Sequence, residues 1–351
     1  MTKGERRRNR RKYHVRYDRI VVMVLSLTVV VVLISSCVLA LNNKESKPGI
    51  VRHNTSSDSA ETSSAAVPDD DTSKNTSTTS KKDEASKTEE SKPQPASENG
   101  FVTDHRSHDD IYKGDLVLVN AEYEYKFIAG DVDPVTLFDN RNDCYDNGDF
   151  VTKLDRNVLN KLNEMMQSFC DASSVSSSDI FILDGYRTFD EQAERHSSGK
   201  SKTFDAGHSD YHTGRTFDMF RMSSEGDISY FDPSGDCAWF AENAGKFGFI
   251  VRYPAGKDEV TGEKARAYTY RYVGVPHAEY MNANGLCLEE YISELKKNTK
   301  DKPLEITSGD TAYSVYYVKA EGDTTCDIPV PDDKMYTISG NNSDGFIVTA
   351  F

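Results

Sequence analysis

The chain has no C-x-x-C pair, no internal repeat and only one long uncharged apolar run. The first absence removes the commonest sequence signatures of structural zinc and dithiol redox chemistry. A single apolar run excludes a multi-span transporter. Six cysteines in 351 residues exclude a disulfide-dense mini-protein, and the composition is not that of a collagen-like fibre. Apolar residues are also scarce, at 37%, so part of the chain lacks the material for a core. The length still suffices for one large or two small folded domains. Charge is unevenly divided. Residues 1–41 hold nine basic side chains (Lys3, Arg6, Arg7, Arg8, Arg10, Arg11, Lys12, Arg16, Arg19) against Glu5 and Asp18, a net of +7. The whole chain is −15, which leaves −22 on residues 42–351. A domain that acidic is repelled by phosphate backbones, so no nucleic-acid partner is expected.

The apolar run occupies residues 20–41, and its 22 residues would span roughly 33 Å as a helix, enough to cross a bilayer core. Basic residues crowd its N-terminal side, which predicts a cytoplasmic tail over 1–19 and an extracytoplasmic location for 42–351. A cleaved signal peptide is one rival, although its apolar region is usually shorter. Lipidation is another: Ile34-Ser35-Ser36-Cys37 resembles a bacterial lipobox, with Cys37 as the acylated residue, yet the apolar run continues past it for four residues. All three versions export the rest of the chain. Residues 42–100 read as a disordered spacer, since from residue 56 onward they include no aromatic, leucine or isoleucine. Five cysteines follow (Cys144, Cys170, Cys237, Cys287, Cys326), an odd number that leaves at least one unpaired and the pairing open.

Folded sequence is expected from Phe101. Residues 115–120 read as a short β-type run. Asp155 is placed to cap a helix with apolar residues at Val158, Leu162, Met165 and Phe169, spaced i, i+4, i+7, i+11. Residues 180–183 form a buried strand ending at Asp184-Gly185. A helix over 239–246, a strand over 249–253 and an amphipathic helix over 286–295 follow. From Pro303 the pattern turns to short strands, such as 313–318 and 345–349. Helices and strands mixed without regular βαβ alternation predict an α+β fold, with a core over 101–302 and a small β-rich C-terminal extension over 303–351.

Three stretches carry chemistry: residues 184–192 (D-G-Y-R-T-F-D-E-Q), 207–218 (G-H-S-D-Y-H-T-G-R-T-F-D) and 261–274 (T-G-E-K-A-R-A-Y-T-Y-R-Y-V-G). Arg187 in the first, near the open end of a sheet, suits a carboxylate clamp made of two parallel hydrogen bonds. Together and in this order the three resemble the VanY-type D-alanyl-D-alanine carboxypeptidases, zinc enzymes that trim terminal D-Ala from peptidoglycan stem peptides. Residues 116–120, 249–254 and 284–291 also resemble segments of that family, so the resemblance covers roughly 115–297. It implies a stem peptide as ligand, held through its terminal carboxylate by Arg187, with Ser209, Tyr186, Tyr211 and Tyr268 lining a peptide-sized groove. The competing reading of Arg187 is a structural ion pair with Asp190 or Glu191.

The departures from the family pattern matter as much. Members carry S-x-H-x-x-G-x-x-x-D, whose His and Asp bind zinc, and E-P-W-H-[YF]-R-Y-V-G, whose Glu is the general base and whose His is the third ligand. Ungapped matching puts Tyr211 at the first ligand position, Asp218 at the second, Thr269 at the third and Arg266 at the base. Only Asp218 survives. One carboxylate with a phenol and an alcohol does not make a catalytic zinc site, and water activation also needs a base within reach. No cofactor is therefore expected, with Arg266 expected to pair with Asp218 in place of the metal. Zinc returns only if the site is rearranged, with His212 as a displaced ligand and His208 or His277 nearby; a one-residue bulge would be needed, because in an extended segment His212 faces away from Asp218. The sequence thus predicts a membrane-tethered, non-catalytic domain of the carboxypeptidase family that binds or senses wall peptides. An active zinc carboxypeptidase with a rearranged site and a protein-interaction module on the same fold are the alternatives.

Overall fold

The computed structural model describes residues 100–351 apart from 177, 178, 202 and 224. The anchor expected at 20–41, Cys37 and the spacer up to residue 99 lie outside the described residues. Among those described, no helix is long and apolar enough to cross a membrane.

The site is built on a mixed six-stranded sheet. Its strands are β3 (Asp146–Asn147), β5 (Ile180–Leu183), β6 (Thr216–Met222), β9 (Arg266–Tyr272) and β8 (Phe249–Tyr253) in that order, with β7 (Ile228–Tyr230) hydrogen-bonded to the far end of β6. A two-stranded ribbon of β2 (Pro134–Thr136) and β4 (Lys153–Asp155) leads into α1 (Arg156–Ala172). The Asp155 carboxylate accepts from the backbone N–H groups of Asn157 and Val158, the N-cap its position predicts. Val158, Leu162, Met165 and Phe169 are all buried, together with Leu159 and Met166 on the same stripe. That stripe packs against Ile180, Ile182, Phe217, Met219, Phe249 and Tyr270, so one face of the sheet is the main core. Side chains alternate along a strand. With Phe217 and Met219 turned into this core, Asp218 between them is turned to the opposite face.

Helix α2 (Phe189–Ser197) follows β5, and α3 (His277–Asn284) and α4 (Leu288–Leu295) follow β9. Helix α4 starts two residues later than its apolar pattern suggests, because the Glu290 carboxylate reaches back to the Cys287 N–H and closes the first turn there. The helix expected over 239–246 is an α-turn, Trp239–Asn243, tightening into 3-10 geometry over Ala244–Phe247.

Residues 115–120 are not a strand. They run from a turn at Asp115–Leu116 into irregular, largely buried chain whose carbonyls are taken by side chains: Asp115 and Val117 by Arg271, Leu118 by Asn342, and Val119 by Arg252. Their β-like composition reflects burial rather than pairing, since Leu116 to Val119 are all within the interior.

The extension is β-rich as predicted. It contains a four-stranded sheet ordered β10 (Leu304–Ser308), β11 (Thr311–Lys319), β14 (Gly345–Ala350) and β13 (Tyr336–Gly340). Its remaining strand, β12 (Thr325–Pro331), pairs antiparallel with β1 (Phe101–Ser107). The start of the folded chain thus belongs with the extension by hydrogen bonding. A second cluster joins the extension to the helices, with Ile306, Val315 and Ile347 packed among Met281, Leu288, Tyr291, Ile292 and Leu295.

Beside the sheet lies a fully buried ionic knot. Asp210 accepts from Arg271 Nη1 at 2.7 Å and from the Thr216 hydroxyl, and lies 3.4 Å from Arg252 Nε. Arg252 also forks onto Glu289 at 2.8 and 3.1 Å. Burial alone would raise the Asp210 carboxyl, but the facing Arg271 and Arg252 outweigh it and hold it below the usual carboxylate range. Removing one partner of a buried pair strands the others. Asp210→Asn should therefore lower unfolding stability by about 3–5 kcal/mol. Arg156→Gln, which breaks an exposed 2.6 Å pair with Asp133, should change it by less than about 0.5 kcal/mol. Urea denaturation of the two variants measures both.

Candidate functional site

The three positions that the family pattern assigns to metal ligands converge. Pairing of β6 with β9 sets Asp218 opposite Thr269. A 3-10 turn, Asp210–Thr213, carries Tyr211 over the same carboxylate, and Gly214 closes it in the left-handed region, where an added Cβ would come within 2.7 Å of Val132. The Tyr211 hydroxyl and the Thr269 hydroxyl each donate to Asp218 Oδ1 at 2.7 Å. Asp218 is only 7% exposed, and burial lifts its carboxyl to about 6, against the opposing pull of the two hydroxyl donors. Burial, and then the neighbouring Asp218, push the Tyr211 phenol well above its ordinary value, so it is a neutral donor to Asp218. These donors do not fit zinc: a neutral phenol, an alcohol and one carboxylate, with both hydroxyl protons already directed at the carboxylate. Among the described residues, no group of three His, Cys, Asp or Glu is placed to hold a metal ion.

Arg266 does not pair with Asp218. Its Nη2 lies 2.6 Å from Glu263, three residues back across the turn into β9, and its guanidinium covers the rings of Phe204 and Tyr253 at 5.0 and 5.1 Å. The short local reach to Glu263 satisfies the cation without crossing the cavity.

His212 is not a displaced ligand either. The segment is a turn rather than an extended strand. It buries the imidazole with Nδ1 donating to the Arg187 carbonyl at 2.7 Å and Nε2 accepting from the Gly207 N–H at 3.0 Å. Phe127 meets the ring edge-on at 4.7 Å. His277 is likewise committed, to the Tyr291 and Thr349 hydroxyls, and His208 faces the Asn120 carbonyl.

Arg187 sits at the turn after β5, 7% exposed. Its ion-pair partner is Asp184, at 2.9 Å, rather than Asp190 or Glu191; Glu191 instead closes a capping box with Thr188 at the start of α2. Gln192 accepts from Arg187 Nη1 at 3.0 Å, and the guanidinium lies 4.1 Å above the Tyr211 ring. Asp184 adopts φ +64 and is shared with Arg195. Gly185 is obligatory, since a Cβ there would fall 2.3 Å from the Lys153 carbonyl. Tyr186, half-buried, ties the turn to β4 through its N–H and the Lys153 carbonyl. Ser209 is fully buried, and its Oγ has no hydrogen-bond partner among the described residues. Tyr186, Arg187 and Asp184 line a groove of about 490 Å³ whose far side is formed by residues 149–153. A larger hollow of about 660 Å³, between β11, β12 and residues 299–301, contains none of the motif residues.

Sequence reasoning thus located Asp218, Tyr211, Thr269, Arg187 and Tyr186 around one place but missed Asp184, Gln192 and Asp210, which hold them. Asp184-Gly185 was legible as a turn. The buried role of Gln192, within a polar helix, carries no local signal.

Residues 152–275 match the VanY family, D-alanyl-D-alanine carboxypeptidase. A D-alanyl-D-alanine carboxypeptidase of Enterococcus faecium is 32% identical over 248 residues, covering 70% of this chain and 78% of that protein. The chain belongs to the VanY family of D-alanyl-D-alanine carboxypeptidases. It is also similar to the bifunctional D-Ala-D-Ala dipeptidase and D-Ala-D-Ala carboxypeptidase VanXYC of Enterococcus gallinarum, 32% identical over 134 residues, 35% of this chain and 70% of that one. The crystal structure of the vancomycin resistance D,D-dipeptidase VanXYg, in complex with a D-Ala-D-Ala phosphinate analog, superposes with a TM-score of 0.60 at 28% identity, covering 71% of this chain and 98% of that one.

Burial lowers both His212 and His277 to about 4. The unfolded chain therefore takes up these protons first, and stability is lost as pH falls from about 6.5 to 4, by roughly 3 kcal/mol per histidine. Asp218, raised to about 6, works the other way, its protonation favouring the folded state as pH drops through that value. The two imidazoles should outweigh the single carboxyl. In NMR titrations of the folded chain, the imidazole Cε1–H resonances of His212 and His277 should stay constant down to about pH 5.

Proposed function

We propose that this chain is an exported, membrane-anchored VanY-family protein that recognises peptidoglycan stem peptides without hydrolysing them. The observation that carries this reading is the closed cluster at the ligand positions, where Tyr211 and Thr269 both donate to Asp218 Oδ1. Hydrolysis in this family's manner needs a metal-held water and a base. Here the ligand positions are occupied by hydroxyl donors, and the base position holds a cation turned toward Glu263. Recognition is supported by what is retained. The groove keeps Arg187 and Tyr186 along its wall, and Ser209 keeps a buried, unused hydroxyl in the adjoining motif. A stem peptide would present its terminal carboxylate to Arg187. Export and anchoring rest on the apolar run at 20–41 and the basic residues before it.

Two measurements test this. After equilibration with zinc and gel filtration, the wild-type chain should retain no stoichiometric metal, whereas Tyr211→His combined with Thr269→His, which completes a His-Asp-His set, should retain about one zinc per chain. Wild-type retention, with chelator-sensitive D-Ala release, would establish the rearranged active site instead. Calorimetric titration should show binding of a pentapeptide ending in D-Ala-D-Ala and none of its L-Ala-L-Ala counterpart. Ser209→Ala should leave stability unchanged or slightly higher, because it removes an unsatisfied buried hydroxyl, whereas Arg187→Lys, which loses the planar fork at the groove wall, should weaken peptide binding by about tenfold. Binding of neither peptide by the wild-type chain would favour a protein-interaction module.

A further inference from the structure

The geometry points to Cys144 and Cys170 as a disulfide-forming pair that ties the groove's outer rim to helix α1. All five described cysteines are free thiols. Cys237, Cys287 and Cys326 are buried in separate elements. Cys144 and Cys170 instead meet: the Cys170 thiol lies 3.7 Å from the Cys144 carbonyl, and the Cys144 Sγ is 3.4 Å from Oε1 of Gln167, three residues before Cys170 on the same face of α1. Cys170 occupies the last turn of α1, and Cys144 the loop just before β3.

Their exposures assign the order of reaction. Cys170 is partly exposed and meets an external oxidant first; Cys144 is buried, and burial together with the neighbouring Cys170 pushes its thiol up to about 12. The deprotonated Cys170 sulfur attacks one sulfur of a disulfide-bearing oxidant, RS–SR, breaking that bond and releasing one RSH. Cys144 then loses its proton, and its sulfur attacks Cys170 in the mixed disulfide, releasing the second RSH. Two electrons and two protons pass to the oxidant, and one S–S bond is formed in the protein.

The bond would act on the groove through a short chain of contacts. From Cys144 the backbone runs into β3 at the sheet edge and then to Asp149, whose carboxylate accepts from the N–H groups of Val151 and Thr152. These residues form the rim, where Phe150 and Val151 are 72% and 73% exposed. A cross-link at Cys144 anchors the base of that rim to the end of α1. This inference is independent of whether the groove binds stem peptides.

The full chain, incubated with oxidised glutathione and alkylated with iodoacetamide, should yield a Cys144–Cys170 cross-linked peptide by mass spectrometry, while Cys237, Cys287 and Cys326 alkylate only after denaturation. The melting temperature should rise by roughly 5–10 °C and return on reduction. Cys170→Ser and Cys144→Ser should each abolish both changes while remaining folded by circular dichroism. A stable glutathione adduct at Cys170 with Cys144 left free, full alkylation of both thiols in the treated protein, or an equal melting shift in the serine variants would overturn the assignment.

Discussion

A fully buried carboxylate facing two arginines sets the geometry of this molecule. Asp210 takes Arg271 from β9 and lies against Arg252 from β8; Arg215 next to the turn reaches Asp115 and Asp131. Burying such charges is not in itself stabilising, because the desolvation cost is comparable with the attraction gained. What the arrangement supplies is position. Through Arg271 and Arg252 it fastens the carbonyls of Asp115, Val117 and Val119, which no strand satisfies, and through Asp210 it fixes the turn that follows. On that turn Tyr211 projects onto Asp218, and His212 is driven under Phe127.

The two hydroxyl protons directed at Asp218 are therefore part of the packing that this turn imposes. A buried carboxylate with no counter-ion is costly, and the hydroxyl donors of Tyr211 and Thr269 reduce that cost without supplying a net charge. The guanidinium of Arg187, stacked on Tyr211, contributes the nearest positive charge, and Asp184 with Gln192 prevents it from swinging away. Arg266 is then free to serve the Glu263 turn.

Legibility in the sequence followed the range of the interactions. Helix α1 was readable because its cap and its stripe lie within one segment, and residues 180–183 because a short apolar run ending in Asp-Gly has few other solutions. The ligand positions were readable because motif spacing survives substitution. Residues 115–120 were misread as pairing chain: hydrophobic composition reports burial, and the arginines that take their carbonyls come from more than a hundred residues away. The partners chosen by Arg187 and Arg266 could not be inferred from motif alignment, since each had several acidic residues in reach. The alliance of β1 with β12 spans more than two hundred residues and leaves no local trace.

That alliance has a mechanical side. Phe101 stands opposite Pro331, and six further rungs follow before the chain turns toward the core. The backbone of Gly100 is itself held by the Asp332 N–H. Tension applied to the chain ahead of Phe101 is thus borne first by this ribbon, one rung after another, and reaches the sheet carrying Asp218 only after the ribbon has yielded. The β1–β12 ribbon, rather than the sheet that carries Asp218, is thus the part of the described fold that takes a load on this end of the chain.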